Sequence, residues 1–223
     1  MRRAGFVLLL AMTMLVPGWS GGSAHAASRP AQSDKTILLT SGPAWQSWQG
    51  GSFTGQAQNV CLNATSPPNC PAGATIYGYV GVAWQANLSA IPGATWVWAP
   101  GITGKTKHAS GASYRFRQRV TIHGAIVLGT AFVAADDLAR FKINGTWVGR
   151  WGSVSKLTKA GRASARLKSF DITTLLTQGV NRLSVWVKNG PNWFAGCSPC
   201  SYAQNPAGVV FGFSITTRRG NRR

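Results

Sequence analysis

The chain has 223 residues, with 23 Lys and Arg against four acidic residues and a formal net charge of +19. Such a field attracts polyanions, and it leaves few carboxylates for acid–base chemistry. The length suits one domain, and a sequence rich in Gly, Ser, Thr, Trp and Val but without Glu favours strands and turns over helices.

The N-terminus reads as an address. Arg2 and Arg3 precede an apolar run over 5–16 that is short for a membrane span, and Ala24-His25-Ala26 has the small-x-small cleavage pattern. The twin Arg fits a twin-arginine route, but the Leu8-Leu9-Leu10 core fits ordinary secretion better. A signal peptide over 1–26 is expected. It is followed by a leader over 27–34, one β-sandwich domain over 35–217 and a basic tail over 218–223. No Cys closely follows the apolar run and no second long apolar segment exists, so the expected location is extracellular or periplasmic, without a transmembrane anchor.

Strands are predicted over 36–40, 75–79, 82–88, 95–98, 114–122, 125–134, 138–143, 146–148, 166–171, 182–188 and 209–217. Short strands broken by Gly, Pro and Asn describe an all-β antiparallel sandwich. The most informative stretch is 125–145. An apolar strand meets a tight turn at Asp136 and Asp137. A second strand then alternates Leu138, Arg140 and Lys142 against Ala139, Phe141 and Ile143, and Asn144-Gly145 closes the next turn. Asn-Gly is a preferred type I′ pair, because both central residues need positive φ. Asp136 and Asp137 read as turn residues accepting nearby backbone N–H groups. Asp171 reads as the N-cap of one helical turn that Gly179 ends. Asn63, Asn87 and Asn144 each open an N-glycosylation sequon, which matters only for a eukaryotic source.

The unit Asp136, Asp137, Asn144, Gly145, Val148, Gly149 resembles the central hairpin of galactose-binding-domain-like β-sandwiches, and other segments follow that family's order. Ala94-Thr95-Trp96-Val97-Trp98 is similar to its early strand, and Tyr114-Arg115-Phe116-Arg117 with Val120 to the next. Phe170-Asp171-Ile172-Thr173 with Leu176, Gly179, Asn181 and Leu183 matches a later motif, and 205–211 its closing strand. The resemblance covers about 94–215. It implies a secreted jelly-roll, carbohydrate-binding-module-like domain with no catalytic residues, cofactor or metal.

Four Cys (Cys61, Cys70, Cys197 and Cys200) allow three disulfide pairings. Local bridges Cys61–Cys70 and Cys197–Cys200 are favoured, because Pro67-Pro68 and Pro199 already bend both loops. Cys197-Ser-Pro-Cys200 also has zinc-knuckle and redox-dithiol spacing. The eight residues between the other pair break the zinc pattern, no thioredoxin-like βαβ pattern accompanies the motif, and export favours oxidation.

Catalysis is hard to assemble. Glycoside hydrolysis generally needs two carboxyls across the bond, and of Asp34, Asp136, Asp137 and Asp171 three read as structural. His108 and His123 have no nucleophile elbow and no acidic partner near in sequence. The cations concentrate at Arg115/Arg117/Arg119, over 150–168 and in the tail. Alternation puts the first three on one sheet face. Trp96, Trp98 and Trp186 lie on predicted strands, where core packing is the default. Trp45, Trp48, Trp151 and Trp193 lie in or beside loops, where indoles stack on sugar rings.

The expected ligand-binding residues are Trp193, Trp151, Asn192, Arg150 and Tyr202, on a non-catalytic module that takes carbohydrate or a cell-surface glycan. The alternative is a basic structural or polyanion-binding protein that holds an anionic polymer or nucleic acid by charge. Ligand identity and oligomeric state stay open.

Overall fold

Phe211, Phe213 and Ile215 recur at every second position of the last strand, so one face of that strand buries a continuous apolar row. Ala131 and Val133, Phe141 and Ile143, and Leu183, Val185 and Val187 repeat the pattern, and two sheets close over these rows. The computed structural model describes residues 33–63, 70–81 and 84–218. In chain order the strands begin with β1 (Asp34–Thr40), β2 (Gln46–Gln49), β3 (Ser52–Gln56), β4 (Gln58–Cys61), β5 (Thr75–Ile76) and β6 (Val97–Trp98). They continue with β7 (Ser113–Ile122), β8 (Ala125–Asp136), β9 (Leu138–Ile143) and β10 (Thr146–Gly152). The helix α1 (Leu157–Ala165) precedes β11 (Lys168–Asp171) and β12 (Gly179–Lys188), and α2 (Asn192–Ala195) precedes β13 (Gly208–Arg218).

One sheet runs β11-β8-β13-β6-β4-β5, with β1 also paired to β13; the other runs β10-β9-β12-β7-β2-β3. The pairings are antiparallel except β4–β5. This is the expected all-β sandwich. Phe213 ties the layers, stacking on Trp45 at 5.7 Å and meeting Phe141 of the opposite sheet edge-on at 5.3 Å.

The Asn144-Gly145 hairpin forms as expected between β9 and β10, with φ of 49° and 93°. The Asp136–Asp137 corner does not close a hairpin. It carries the chain from the seven-stranded sheet, where β8 pairs β13, to the six-stranded sheet, where β9 pairs β12. The two Asp, Asp136 half-buried and Asp137 buried, are a carboxyl pair and not turn caps. Asp136 accepts from Trp84 Nε1 (2.9 Å), Asp137 accepts the N–H of the distant Gly190 (2.6 Å), and a side-chain hydrogen bond joins the two. Burial, then the neighbouring Asp137 charge, pushes the Asp136 carboxyl well above the ordinary carboxylate range.

Other boundaries also differ from expectation. Asp34, placed in the leader, opens β1, and Arg218, placed in the tail, closes β13; the two form an ion pair at 2.9 Å. The signal peptide and the rest of leader and tail lie outside the described residues. The strand expected over 82–88 does not form: the described part, 84–88, is irregular. That segment lies instead on the outer face of the seven-stranded sheet, where Trp84 stacks on Trp96 at 4.4 Å. Gly208 and Gly212 make room for this cover, because a Cβ at Gly208 would meet the Trp84 ring at 2.7 Å and one at Gly212 would strike Ile91. Asp171 does accept the Thr173 N–H and hydroxyl, at 2.8 and 2.6 Å. The 3₁₀ turn it starts, Thr173–Leu175, ends well before Gly179, whose φ of 91° opens β12 instead.

Candidate functional site: a basic, aromatic sheet face

The two sheets treat their outer faces differently. Trp84, Ile91 and Trp96 cover part of the seven-stranded sheet, whereas the outer face of the six-stranded sheet is open and carries a groove of about 1110 Å³. Alternation dictates what points there. In β7 the core takes Tyr114, Phe116 and Ile122 and the outer face takes Arg115, Arg117 and Arg119. β12 sends Leu183, Val185 and Val187 inward and Arg182, Ser184, Trp186 and Lys188 outward. β9 buries Phe141 and Ile143 and presents Arg140 and Lys142.

Register aligns these residues into rows across the strands. One row is Gln46 (β2), Arg117 (β7), Ser184 (β12), Lys142 (β9) and Trp147 (β10). The adjacent row is Trp48, Arg115, Trp186, Arg140 and Arg150 on the same five strands. A third, shorter row sets Arg119 beside Arg182. These rows hold seven cations and three indoles, and Lys188 at the end of β12 adds an eighth cation to the face. None of the chain's four carboxylates lies on a strand of this sheet.

The cations are organised by the rings. The Arg117 guanidinium lies 4.6 Å from the Trp48 centroid, and Trp147 receives Arg140 at 4.2 Å and the Lys142 ammonium at 5.3 Å. Burial, then the adjacent Arg115 charge, lowers the Arg117 pKa from its ordinary value. Among the described residues, no carboxylate lies on a strand of this sheet to pair with these cations.

The expected loop residues are dispersed. Tyr202 is 1% exposed and its hydroxyl accepts from Trp98 Nε1 at 3.2 Å, so it is a core residue away from any surface ligand. Trp151 is half-buried against the core and donates Nε1 to the Arg166 carbonyl, and is not the open platform expected. Trp45 is fully buried. Trp193 is 61% exposed on α2, edge-on to Phe194 at 4.3 Å, while Asn192 donates to Ser198 Oγ. Arg150 joins the sheet face opposite Arg140. Trp186 faces outward, against the expectation of core packing. The sequence reading missed Trp147, Trp186 and Arg182 as site residues. Their signal was the same odd–even alternation already visible in Arg115/Arg117/Arg119 and Arg140/Lys142.

The loop carrying Trp193 is held by the expected disulfides, Cys197–Cys200 at its end and Cys61–Cys70 elsewhere. His108 and His123 are exposed, and no cluster of three or more His, Cys, Asp or Glu placed to hold a metal occurs among the described residues. Among those residues, no helix is long and apolar enough to cross a membrane.

No family model matches the chain, and no curated protein matches it. Among solved structures it is similar to an α-L-rhamnosidase of Streptomyces avermitilis (22% identity, TM-score 0.41, 54% of this chain and 10% of that one). It is also similar to a β-glucuronidase of an uncultured Clostridium species (11% identity, TM-score 0.40, 92% and 31%). A third is a β-glucuronidase of Bacteroides uniformis (16% identity, TM-score 0.38, 80% and 18%). The chain spans a third or less of the length of each of these proteins.

Proposed function

We propose that the chain is an exported, non-catalytic binding module that holds an anionic polymer on the outer face of its six-stranded sheet. The observation that carries this reading is that face itself: seven cations and three indoles in register, with no carboxylate among them. Rings and guanidinium groups together suit a ligand that has both flat apolar faces and negative charge. The two disulfides accord with an oxidising compartment. The carboxylates support a non-catalytic role. Asp34 pairs with Arg218, Asp171 is bound by Thr173, and Asp136 and Asp137 are tied to each other, to Trp84 and to Gly190.

Retention on immobilised dextran sulfate, with neutral dextran as control, tests the reading. The double variant Arg117→Gln/Lys142→Gln removes two face cations, and Lys156→Gln/Lys159→Gln removes two exposed cations around α1. The first should elute at clearly lower salt than the parent and the second close to it. Equal shifts for both would mean that net charge alone binds. Reducing sugar released from a polysaccharide would make the chain an enzyme.

A second reading rests on Trp193, which α2 presents at 61% exposure between Pro191 and the αL residue Gly196. There an indole would stack on a neutral sugar without help from charge. Trp193→Ala should then weaken a salt-insensitive interaction by roughly tenfold, the scale of one lost ring stack. The sheet-face interaction should be unaffected.

A further inference from the structure

We infer that the polymer lies across the strands, that it is a polysaccharide, and that it carries one anionic group per disaccharide. This rests on the sheet-face reading above and specifies its ligand. In both long rows β7 and β9 supply a cation, Arg117 and Lys142 in one, Arg115 and Arg140 in the other. In both rows β2 and β12 supply an uncharged group, Gln46 and Ser184 in one, Trp48 and Trp186 in the other. Over these four strands the chemistry therefore alternates neutral, cationic, neutral, cationic with a period of two strands; on β10 the first row continues it with Trp147 and the second breaks it with Arg150.

Two strand spacings are roughly 9.5 Å, about the length of one disaccharide in an extended β-linked glycan. A polymer with a carboxylate or sulfate on every second sugar would place an anion at each cationic strand. It would place an unsubstituted ring on Trp48 and Trp186, with Gln46 and Ser184 left to bind hydroxyls.

The surface offers contacts in this direction. Gln46, Arg117, Ser184 and Lys142, from four successive strands, all border the main groove, together with further residues along β7 and β12. Trp48, Arg115 and Trp186 border a second depression of about 520 Å³. Along the strands the pattern fails, because β7 presents Arg115, Arg117 and Arg119 with no ring between them. A ligand using rings and cations alternately has to cross. Single-stranded nucleic acid also pairs rings with charge, but it carries an anion on every residue and would leave half of each row unmatched.

The test is calorimetric titration of the whole chain with oligomers of equal length. The probes are hyaluronan, charged on alternate sugars; oligogalacturonate, charged on every sugar; a neutral cello-oligosaccharide; and oligo-dT. Hyaluronan should bind tightest despite carrying half the carboxylates of oligogalacturonate. Trp186→Ala should weaken hyaluronan about tenfold and oligogalacturonate far less. Trp186→Phe, which keeps a ring, should recover much of the loss, and unchanged thermal midpoints would show that both variants stay folded. Affinity that rises simply with charge overturns the alternating register and leaves the anionic-polymer reading standing. Tightest binding to oligo-dT overturns the polysaccharide. Failure of every acidic probe overturns both.

Discussion

Phe213→Ala tests whether the two layers are held as the packing indicates, directly beneath the candidate face. The Phe213 ring is fully buried, stacked on Trp45 at 5.7 Å, edge-on to Phe141 at 5.3 Å and near Phe211 at 6.3 Å. Phe141 lies between Arg140 and Lys142 in β9, so this cluster backs the cationic strand. Truncating a buried Phe costs about 3–5 kcal/mol, because the lost transfer energy is joined by a cavity that the rigid neighbours do not fill. For a domain of 150–250 residues each kcal/mol lowers the thermal midpoint by roughly 2–4 °C, so the expected fall is about 6–20 °C. Phe213→Leu keeps most of the volume and should lose roughly half as much or less. Thermal unfolding followed by circular dichroism reads both. A fall of less than about 4 °C for the alanine variant would refute the inter-sheet role.

Three further outcomes follow from the geometry. Burial and the Asp137 charge raise the Asp136 pKa, so the stability it contributes is complete below the unfolded carboxyl value of about 3.9 and is lost as pH rises through the raised native value. Asp136→Asn stays neutral and can keep the Trp84 bond; in urea titrations from pH 4.5 to 8 it should gain on the parent as pH rises, and identical pH profiles would refute the pairing. Asn144 accepts the Arg182 N–H, donates to Leu175 O and Asn181 Oδ1, and sits at φ 49°, so Asn144→Ala should cost about 2–3 kcal/mol by chemical denaturation. Asn144→Gly should recover roughly 1 kcal/mol of that through φ alone. Lastly, moderate NaCl should raise the thermal midpoint of the free protein by screening its like-charged face while weakening polymer binding; a midpoint that falls with salt would count against the face as an unrelieved repulsion.

Much of the fold was legible because period-two alternation and Asn-Gly are local signals. β7, β9, β12 and β13 lie close to where alternation puts them, and the hairpin needs only the φ tolerance of two residues. What was not local was lost. β2, β3 and β4 are short, Gln-containing segments of four or five residues, with little apolar periodicity to mark them. The apolar residues around Trp84 read as a strand because burial and strand pairing look alike in sequence, and here the burial comes from lying on a sheet. α1 buries only Ala160, Ala163 and Ser164, a stripe too small to announce a helix. The Asp136–Asp137 corner looked like a turn because two Asp usually make one; only the sheet order shows the chain changing layers there. The candidate face failed for the same reason. Each strand's outward cations were visible, but which strands are neighbours was not, and the rows exist only across neighbours.

The arrangement of those cations argues against a role limited to solubility. A high net charge keeps a protein dispersed wherever the charges sit, and dispersal over the whole surface costs least. Here Arg119 directly opposes Arg182, and Arg140 opposes Arg150, pairs that are mutually repulsive across adjacent strands. The carboxylates that could relieve them are elsewhere: Asp34 and Asp171 on strands of the other sheet, Asp136 and Asp137 at the corner between layers. Trp147 gives Arg140 part of the relief through a cation–π contact, but a ring face offers far less than an anion. The folded chain therefore holds a standing repulsion on the open outer face of its six-stranded sheet. A ligand that brings anions to that face gains both the attraction and the removal of the repulsion, so binding and folding stability rise together. A surface shaped only by solubility has no reason to couple them.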